Sequence, residues 1–185
     1  MGAALIAAPA TAETVQSVDD GDTITVRERG NSFTIDLDCI DAPELAQRPF
    51  GAVAQKRLQA LIPIGSAVDL RYVSLDMKGR LVGEVFSKGH NINLVMVRKG
   101  LAFAYDGKPE DNRALCGGPG NPRPFDYMEV EAYAQEDLLG VWAMPGGIQR
   151  PWDWRLTNRI ATPSGDRCQV KRWLFPGALR DPCGP

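Results

Sequence analysis

Three short stretches gather the residue types that hydrolysis of a phosphate ester demands: "DDGDT" at 19–23, "FTIDLDCIDAPE" at 33–44 and "DMKGR" at 76–80. Cleaving a phosphodiester takes a hard cation on oxygen ligands, a base for water, and cationic groups for the charge developing on phosphate. Asp20, Asp22, Asp36, Asp38, Asp41, Glu44 and Asp76 offer the carboxylates. Arg80 offers a guanidinium, whose rigid fork stays charged and donates two parallel hydrogen bonds. Singly, each stretch is ordinary. D-G is a strong turn dipeptide, "IDAPE" is a strand end stiffened by Pro43, and "DMKGR" is another turn. The weight lies in their conjunction. His90, the one histidine of the chain, falls in an expected hairpin turn, so hydrolysis must rest on carboxylates and metal.

The elements that would position these groups are readable from periodicity. "TVQSVDDGDTITVRERGNSFTIDLDCI" reads as two strands joined through the polar, glycine-bearing "RERGN". Strict alternation places Ile35, Leu37 and Cys39 on one face and Asp36, Asp38 and Ile40 on the other. "GAVAQKRLQALI" is a short amphipathic helix with Ala54, Leu58, Leu61 and Ile62 on one face and Lys56 and Arg57 elsewhere, closed by Pro63 and Gly65. "AVDLRYV" and "GRLVGEVFS" read as strands, "SKGHNI" as a hairpin turn, and "INLVMVRKG" as a helix ended by Gly100. A long loop through Cys116 precedes a further amphipathic helix, "FDYMEVEAYAQEDLLG". The fold class is therefore mainly β with α: a small antiparallel barrel with about three helices packed outside it, plus a C-terminal tail.

The chemical stretches resemble, in order and approximate spacing, the staphylococcal nuclease-like (thermonuclease) family. Its pattern is D-G-D-T, then R-L-x-G-I-D-A-P-E, then D-x-x-G-R, then a final helix ending in G-x-W. This chain has "DGDT" at 20–23, "IDAPE" at 40–44, "DMKGR" at 76–80 and "GVW" at 140–142. The resemblance covers about residues 14–145. It implies a five-stranded oligonucleotide-binding barrel and a metal-dependent endonuclease that cuts DNA or RNA, usually with Ca²⁺ (alternatively Mg²⁺ or Mn²⁺), to leave 3′-phosphate ends. By position, Asp22 and Asp41 would be metal ligands, joined by the backbone carbonyl of Ala42. Glu44 would orient or deprotonate the attacking water, and Arg80 would grip the phosphate. Asp20 and Thr23 would support the first loop, and Asp76 would hold the turn that aims Arg80. Single-stranded or locally open DNA or RNA is the expected partner, and the chain is expected to act as a monomer.

Departures from that pattern bear on activity. Five positions before Asp41 the family carries a second catalytic arginine, and here the residue is Asp36. Losing one preorganised donor typically costs ~3 kcal/mol, about a hundredfold or more in rate. A carboxylate there also repels substrate and can recruit a proton or a cation. Asp38 and Cys39 stand where the family favours a small residue and glycine. "DMKGR" lacks the tyrosine of D-K-Y-G-R, although Lys78 supplies a charge for substrate binding. Arg71, Arg27 or Arg29 are the candidates for replacing the missing arginine. Weakened nuclease activity is the expectation. The alternative is a non-catalytic module that binds nucleic acid or protein on the same barrel.

Composition sets the remaining bounds. The 185 residues carry a formal net charge of −2, unevenly spread: residues 151–185 hold six Lys/Arg against three Asp, and residues 1–150 hold fifteen against twenty acids. A nucleic acid would have to be met by a local patch. "MGAALIAAPATAETVQ" contains an A-x-A cleavage pattern after Ala12, so residues 1–13 read as a signal peptide or disordered start. Residues 14–150 then form the barrel domain and 151–185 a Trp/Arg-rich extension, in a secreted or periplasmic protein. No later segment reaches transmembrane length. Cys39, Cys116, Cys168 and Cys183 form no CxxC pair. Of three possible pairings, Cys39–Cys116 with Cys168–Cys183 is favoured, tying the long loop to the sheet and closing the tail. The extension holds three of the four tryptophans. It reads as an apolar wrap against the barrel or, alternatively, as a basic and aromatic nucleic-acid platform.

Overall fold

A computed structural model of the chain describes residues 13–76, 79–105, 116 and 126–158. The expected leader up to Ala12, Lys78, Cys168, Cys183 and the extension beyond residue 158 lie outside these described residues. Strands β1 (Glu13–Val18), β2 (Thr23–Glu28), β3 (Asn31–Leu37), β5 (Ala67–Leu75) and β6 (Leu81–Ser87) run in the order β3-β2-β1-β5-β6. A parallel pairing of β3 with β6, Ile35 opposite Leu81 and Leu37 opposite Gly83, closes the sheet into a five-stranded barrel. Closure removes the exposed edges that an open sheet of this size would present. Strand β7 (His90–Asn91) completes the expected hairpin, with Ser87 opposite His90. The two-residue strands β4 (Ile40–Asp41) and β8 (Phe103–Ala104) pair with each other beside the barrel.

The single long strand expected before "RERGN" is instead two, β1 and β2. The Asp20 side chain accepts hydrogen bonds from the backbone N–H groups of Asp22 (3.0 Å) and Thr23 (2.7 Å), and so turns the chain between them. Alternation along β3 holds only to Leu37. Ile35 and Leu37 are buried with Asp36 turned outward, but Asp38, Cys39 and Ile40 are all buried together. The cause is local: Cys39 has a φ of +66°, its amide donates to the Asp38 carboxylate at 2.9 Å, and the strand ends there. Asn93 clamps this end by donating to the Asp38 carbonyl (2.8 Å) while accepting from Val85 N–H (3.0 Å).

Helix α1 (Phe50–Leu61) buries Ala54 and Leu58 on the expected face, with Ile62 just beyond, and exposes Lys56 and Arg57. Helix α2 (Ile92–Arg98) is capped by the Asn91 side chain, which accepts from Leu94 N–H at 3.1 Å. Helix α3 (Tyr127–Glu136) is capped by Asp126, which accepts from Met128 and Glu129 N–H. "GVW" does not end α3; it forms a separate 3₁₀ turn, Gly140–Ala143. Gly100 and Gly140, at φ +62° and +55°, press backbone to backbone there, and Val141 N–H donates to Gly100 O at 2.8 Å. A Cβ on either glycine would fall 2.1 Å from a carbonyl oxygen.

The principal core fills the barrel and the α1–α2 interface. A second, smaller core of Phe103, Ala134, Val141 and Trp142 takes in Phe50, Ile148 and Trp152 at its margin. Helix α4 (Pro151–Asn158), the described start of the extension, rests on it. Trp152 packs edge-on against Phe103 and Tyr105, at centroid distances of 6.2 and 5.2 Å. Trp152 packs as the expected apolar wrap would, whereas Leu156 on the same helix is exposed. Cys39 and Cys116 form a disulfide spanning 77 residues. Among the described residues no helix is long and apolar enough to cross a membrane.

Candidate active site

Three turns bring the acidic side chains together. The first is the bend between β1 and β2. Gly21 is required in it, because a Cβ there would lie 2.6 Å from Ala42 Cβ and 2.8 Å from Ala54 Cβ. That close approach sinks Asp22 against the exit of β4. The Asp22 carboxylate accepts from Ala42 N–H at 2.5 Å and from the Thr23 hydroxyl at 3.4 Å. The same hydroxyl lies 3.4 Å from Asp36 Oδ1, so one donor serves two carboxylates. Burial, and then the charges of Asp20 and Asp41, push the Asp22 carboxyl well above the usual carboxylate range; the Ala42 hydrogen bond opposes them without prevailing. Ala42 thus meets the cluster through its amide as well as lying beside both aspartates.

The second turn leaves β4 and carries Asp41 and Glu44. Asp41 is fixed by the pairing of β4 with Phe103 of β8. Glu44 is fixed by Gln47: its N–H donates to the Gln47 amide oxygen (3.0 Å), and Gln47 N–H donates back to Glu44 O (2.7 Å). Gln47 Nε2 then donates to Gln149 O at 2.8 Å, which couples this turn to the segment leading into α4. Gly51 presses on the same turn, with room for no Cβ, since one would fall 2.1 Å from Glu44 O.

The third turn, between β5 and β6, holds Arg80. Asp76 accepts from Arg80 Nε (2.8 Å), Nη2 (2.7 Å) and N–H (2.8 Å), which aims the guanidinium as the sequence anticipated. Its remaining arm, Nη1, donates to Asp36 at 2.5 Å. Asp36 therefore does face the cluster, and it holds the arginine expected to grip phosphate. Burial works against the Arg80 charge, and Asp36 and Asp76 outweigh it, so the guanidinium is held above its ordinary pKa.

The expected substitutes for the missing arginine pair elsewhere. Arg71 binds Asp69 and lies 4.0 Å over the Phe86 ring, Arg29 faces Glu28 at 3.7 Å, and Arg27 donates to the Gln16 amide. Arg155 of α4 enters the cluster instead. Its Nη1 donates to Asp41 Oδ1 (3.0 Å) and Glu44 Oε1 (2.7 Å), and its Nη2 to Asp41 Oδ2 (2.5 Å). These bonds outweigh the cost of burial and raise the Arg155 pKa. The sequence reading missed Arg155, although it lies in the Trp/Arg-rich stretch singled out as basic and aromatic. Beside it Arg150 pairs with buried Glu131 at 3.1 Å and lies 5.1 Å over the Trp152 ring, so α4 is anchored where Arg155 reaches inward.

Asp38 stands apart. With Cys39 and Cys116 it brings one carboxylate oxygen and two sulfurs within 4.8 Å of one another, a candidate metal-coordinating cluster. The sulfurs are joined in a disulfide, so neither is a thiolate, and metal binding there would first need reduction. The expected ligands Asp22, Asp41 and the Ala42 carbonyl are by contrast all oxygen donors, the kind a hard cation takes. His90 is exposed in its hairpin.

Comparison with known proteins bears on this geometry. Residues 34–144 match the family model described as staphylococcal nuclease homologue. The chain is 33% identical over 172 residues to the micrococcal nuclease of Shigella flexneri, a match that covers 85% of this chain and 90% of that protein. It is 33% identical over 147 residues to an uncharacterized endonuclease of Haemophilus influenzae, covering 79% and 74%. It is also 30% identical over 127 residues to the staphylococcal-like nuclease CAN1 of Arabidopsis thaliana, covering 69% of this chain and 34% of that protein.

Proposed function

The chain belongs to the staphylococcal nuclease family, and from that premise we propose that it is a metal-dependent endonuclease acting on single-stranded or locally open DNA or RNA. Asp22, Asp41 and the Ala42 carbonyl would hold Ca²⁺, or alternatively Mg²⁺ or Mn²⁺. Glu44 orients or deprotonates water, and Arg80 takes the phosphate, with Lys78 as a further substrate contact. When bound, such a cation would polarise a phosphate oxygen and offset its charge. The observation that carries this reading is the bond from Ala42 N–H to Asp22, which locks the two candidate ligand turns together beside Glu44. Asp22 is left undercompensated for charge in that arrangement, as a cation-binding carboxylate would be.

The nuclease unit is assigned to about residues 13–150, since Glu13 already opens β1, with the residues up to Ala12 as an export signal and residues 151–185 as an extension. The Cys39–Cys116 disulfide favours a secreted or periplasmic location, since disulfides persist in oxidising compartments. Asp36 weakens turnover by engaging one arm of Arg80. In a cleavage assay on single-stranded DNA and RNA with Ca²⁺, Mg²⁺, Mn²⁺ or chelator, slow metal-dependent cleavage is expected. Glu44→Gln should abolish it, and Asp36→Arg should raise it by about tenfold or more. No cleavage with any of these metals would sink the assignment. That outcome would favour a non-catalytic binding module, the reading supported by the engagement of both Arg80 and Arg155 with carboxylates.

A further inference from the structure

We infer that Arg155 is the second phosphate-gripping arginine of this site, supplied from α4 in place of the one absent at position 36. This rests on the nuclease reading above. The cluster runs as one chain of contacts: Arg80 to Asp36, through Thr23 to Asp22, through Ala42 to Asp41, and from Asp41 and Glu44 to Arg155. A guanidinium thus stands at each end of the carboxylates, one from the β5–β6 turn and one from α4.

The helix is built to hold that position. Trp152 and Arg155 are three residues apart, so they share a face of α4. The first anchors on Phe103 and Tyr105 while the second reaches the site. Arg150, paired with Glu131, and the Gln47–Gln149 bond fix the approach. The Arg155 side chain keeps 23% of its surface exposed, close to the 22% of Arg80, so both remain open to a ligand from solvent. Its two carboxylate partners are the candidate metal ligand Asp41 and the candidate base Glu44. Asp41 would be a residue that holds the cation, whose charge would offset the carboxylates, and Arg155 would offer part of its fork to the phosphate. Lysine could not reproduce this, because it lacks the planar fork.

The test uses the full chain and four variants: Arg155→Met, Arg155→Lys, Asp36→Arg and the double variant Asp36→Arg/Arg155→Met. At saturating Ca²⁺, Arg155→Met should cleave a single-stranded oligonucleotide about a hundredfold more slowly than the parent, and Arg155→Lys about tenfold more slowly. The double variant should recover at least about tenfold over Arg155→Met, since the charge has been returned to the barrel. A second readout needs no turnover. In the Glu44→Gln background, adding Arg155→Met should weaken oligonucleotide binding in Ca²⁺ by about tenfold. If the parent cleaves and Arg155→Met cleaves as fast or faster, the inference is overturned and the arginine is a plug in the site. Slow cleavage that Asp36→Arg does not recover overturns it also, leaving a structural role. If the parent itself fails to cleave, the nuclease reading falls, and the binding comparison alone decides whether Arg155 contacts phosphate.

Discussion

Replacing Asp22 by asparagine separates what the site costs the fold from what it does for a cation. Asp22 is half-buried among Asp20, Asp36 and Asp41, and its carboxyl is held well above the ordinary range, by desolvation first and by those neighbours next. Asparagine has nearly the same shape. Its carbonyl oxygen can keep the 2.5 Å bond from Ala42 N–H, and its amide nitrogen can donate to the Thr23 hydroxyl, leaving that hydroxyl free to donate to Asp36. No partner is lost and one negative charge is removed. Relieving an undercompensated, half-buried charge should stabilise the metal-free chain by about 1–2 kcal/mol. With Ca²⁺ the difference should shift toward the parent by about 2.7 kcal/mol, the gain of a site filled at a hundred times its Kd, because a variant missing a ligand gains little. Urea unfolding at pH 7, in chelator and in Ca²⁺, measures both. The pH dependence follows from the same shift. A carboxyl whose folded pKa is raised contributes stability that is complete below the ordinary carboxylate range and is lost as pH rises through the folded value. The advantage of Asp22→Asn in chelator should therefore vanish in acid and grow across that window. A variant less stable than its parent in chelator at pH 7 would refute the account of this cluster as undercompensated.

Two further perturbations probe the scaffold. Gly51→Ala places a Cβ 2.1 Å from Glu44 O, so either α1 or the Glu44 turn must shift; a loss of about 1–3 kcal/mol in urea unfolding is expected, together with slower cleavage, and unchanged values for both would show that the contact is soft. Cys39→Ser opens a disulfide that closes 77 residues, and should cost about 2–5 kcal/mol; reductant should lower the parent's unfolding midpoint toward the variant's while leaving the variant where it is.

What the sequence revealed and what it hid follow from the range of the interactions involved. Helix α1 was legible because Ala54, Leu58 and Ile62 recur at helical spacing and Pro63 stops the chain; it spans Phe50–Leu61 against an expected 51–62. The turn that aims Arg80 was legible because Asp76 lies four residues away. The bend at Asp20–Asp22 was legible in its D-G dipeptide, but its division of the first strand run into β1 and β2 was not, because Asp20 makes the turn with its own side chain. The alternation past Leu37 failed at a single residue, where the positive φ of Cys39 ends the strand and buries Asp38. Arg155 was hidden for a different reason. Its partners Asp41 and Glu44 are 114 and 111 positions distant, and nothing in "PWDWR" marks which acid it will meet.

The charge pattern of the site is best understood as one relocation with a consequence. Asp20, Asp22, Asp36, Asp41, Glu44 and Asp76 surround two guanidinium groups, Arg80 and Arg155. With an aspartate at position 36, Arg80 is gripped by two carboxylates, and among the described residues the barrel alone supplies one arginine to six acids. The second comes from α4, and α4 is held by the small core around Phe103 and Trp142, by Arg150 on Glu131, and by Gln149 on Gln47. Two guanidinium charges still leave the six carboxylates short of neutrality, and among the described residues the Asp22 carboxylate accepts from the Ala42 N–H and the Thr23 hydroxyl, neither of them a cation. The proposed divalent cation would meet that shortfall. The substitution at position 36 therefore does not empty the site of positive charge; it makes the site depend on a helix outside the barrel.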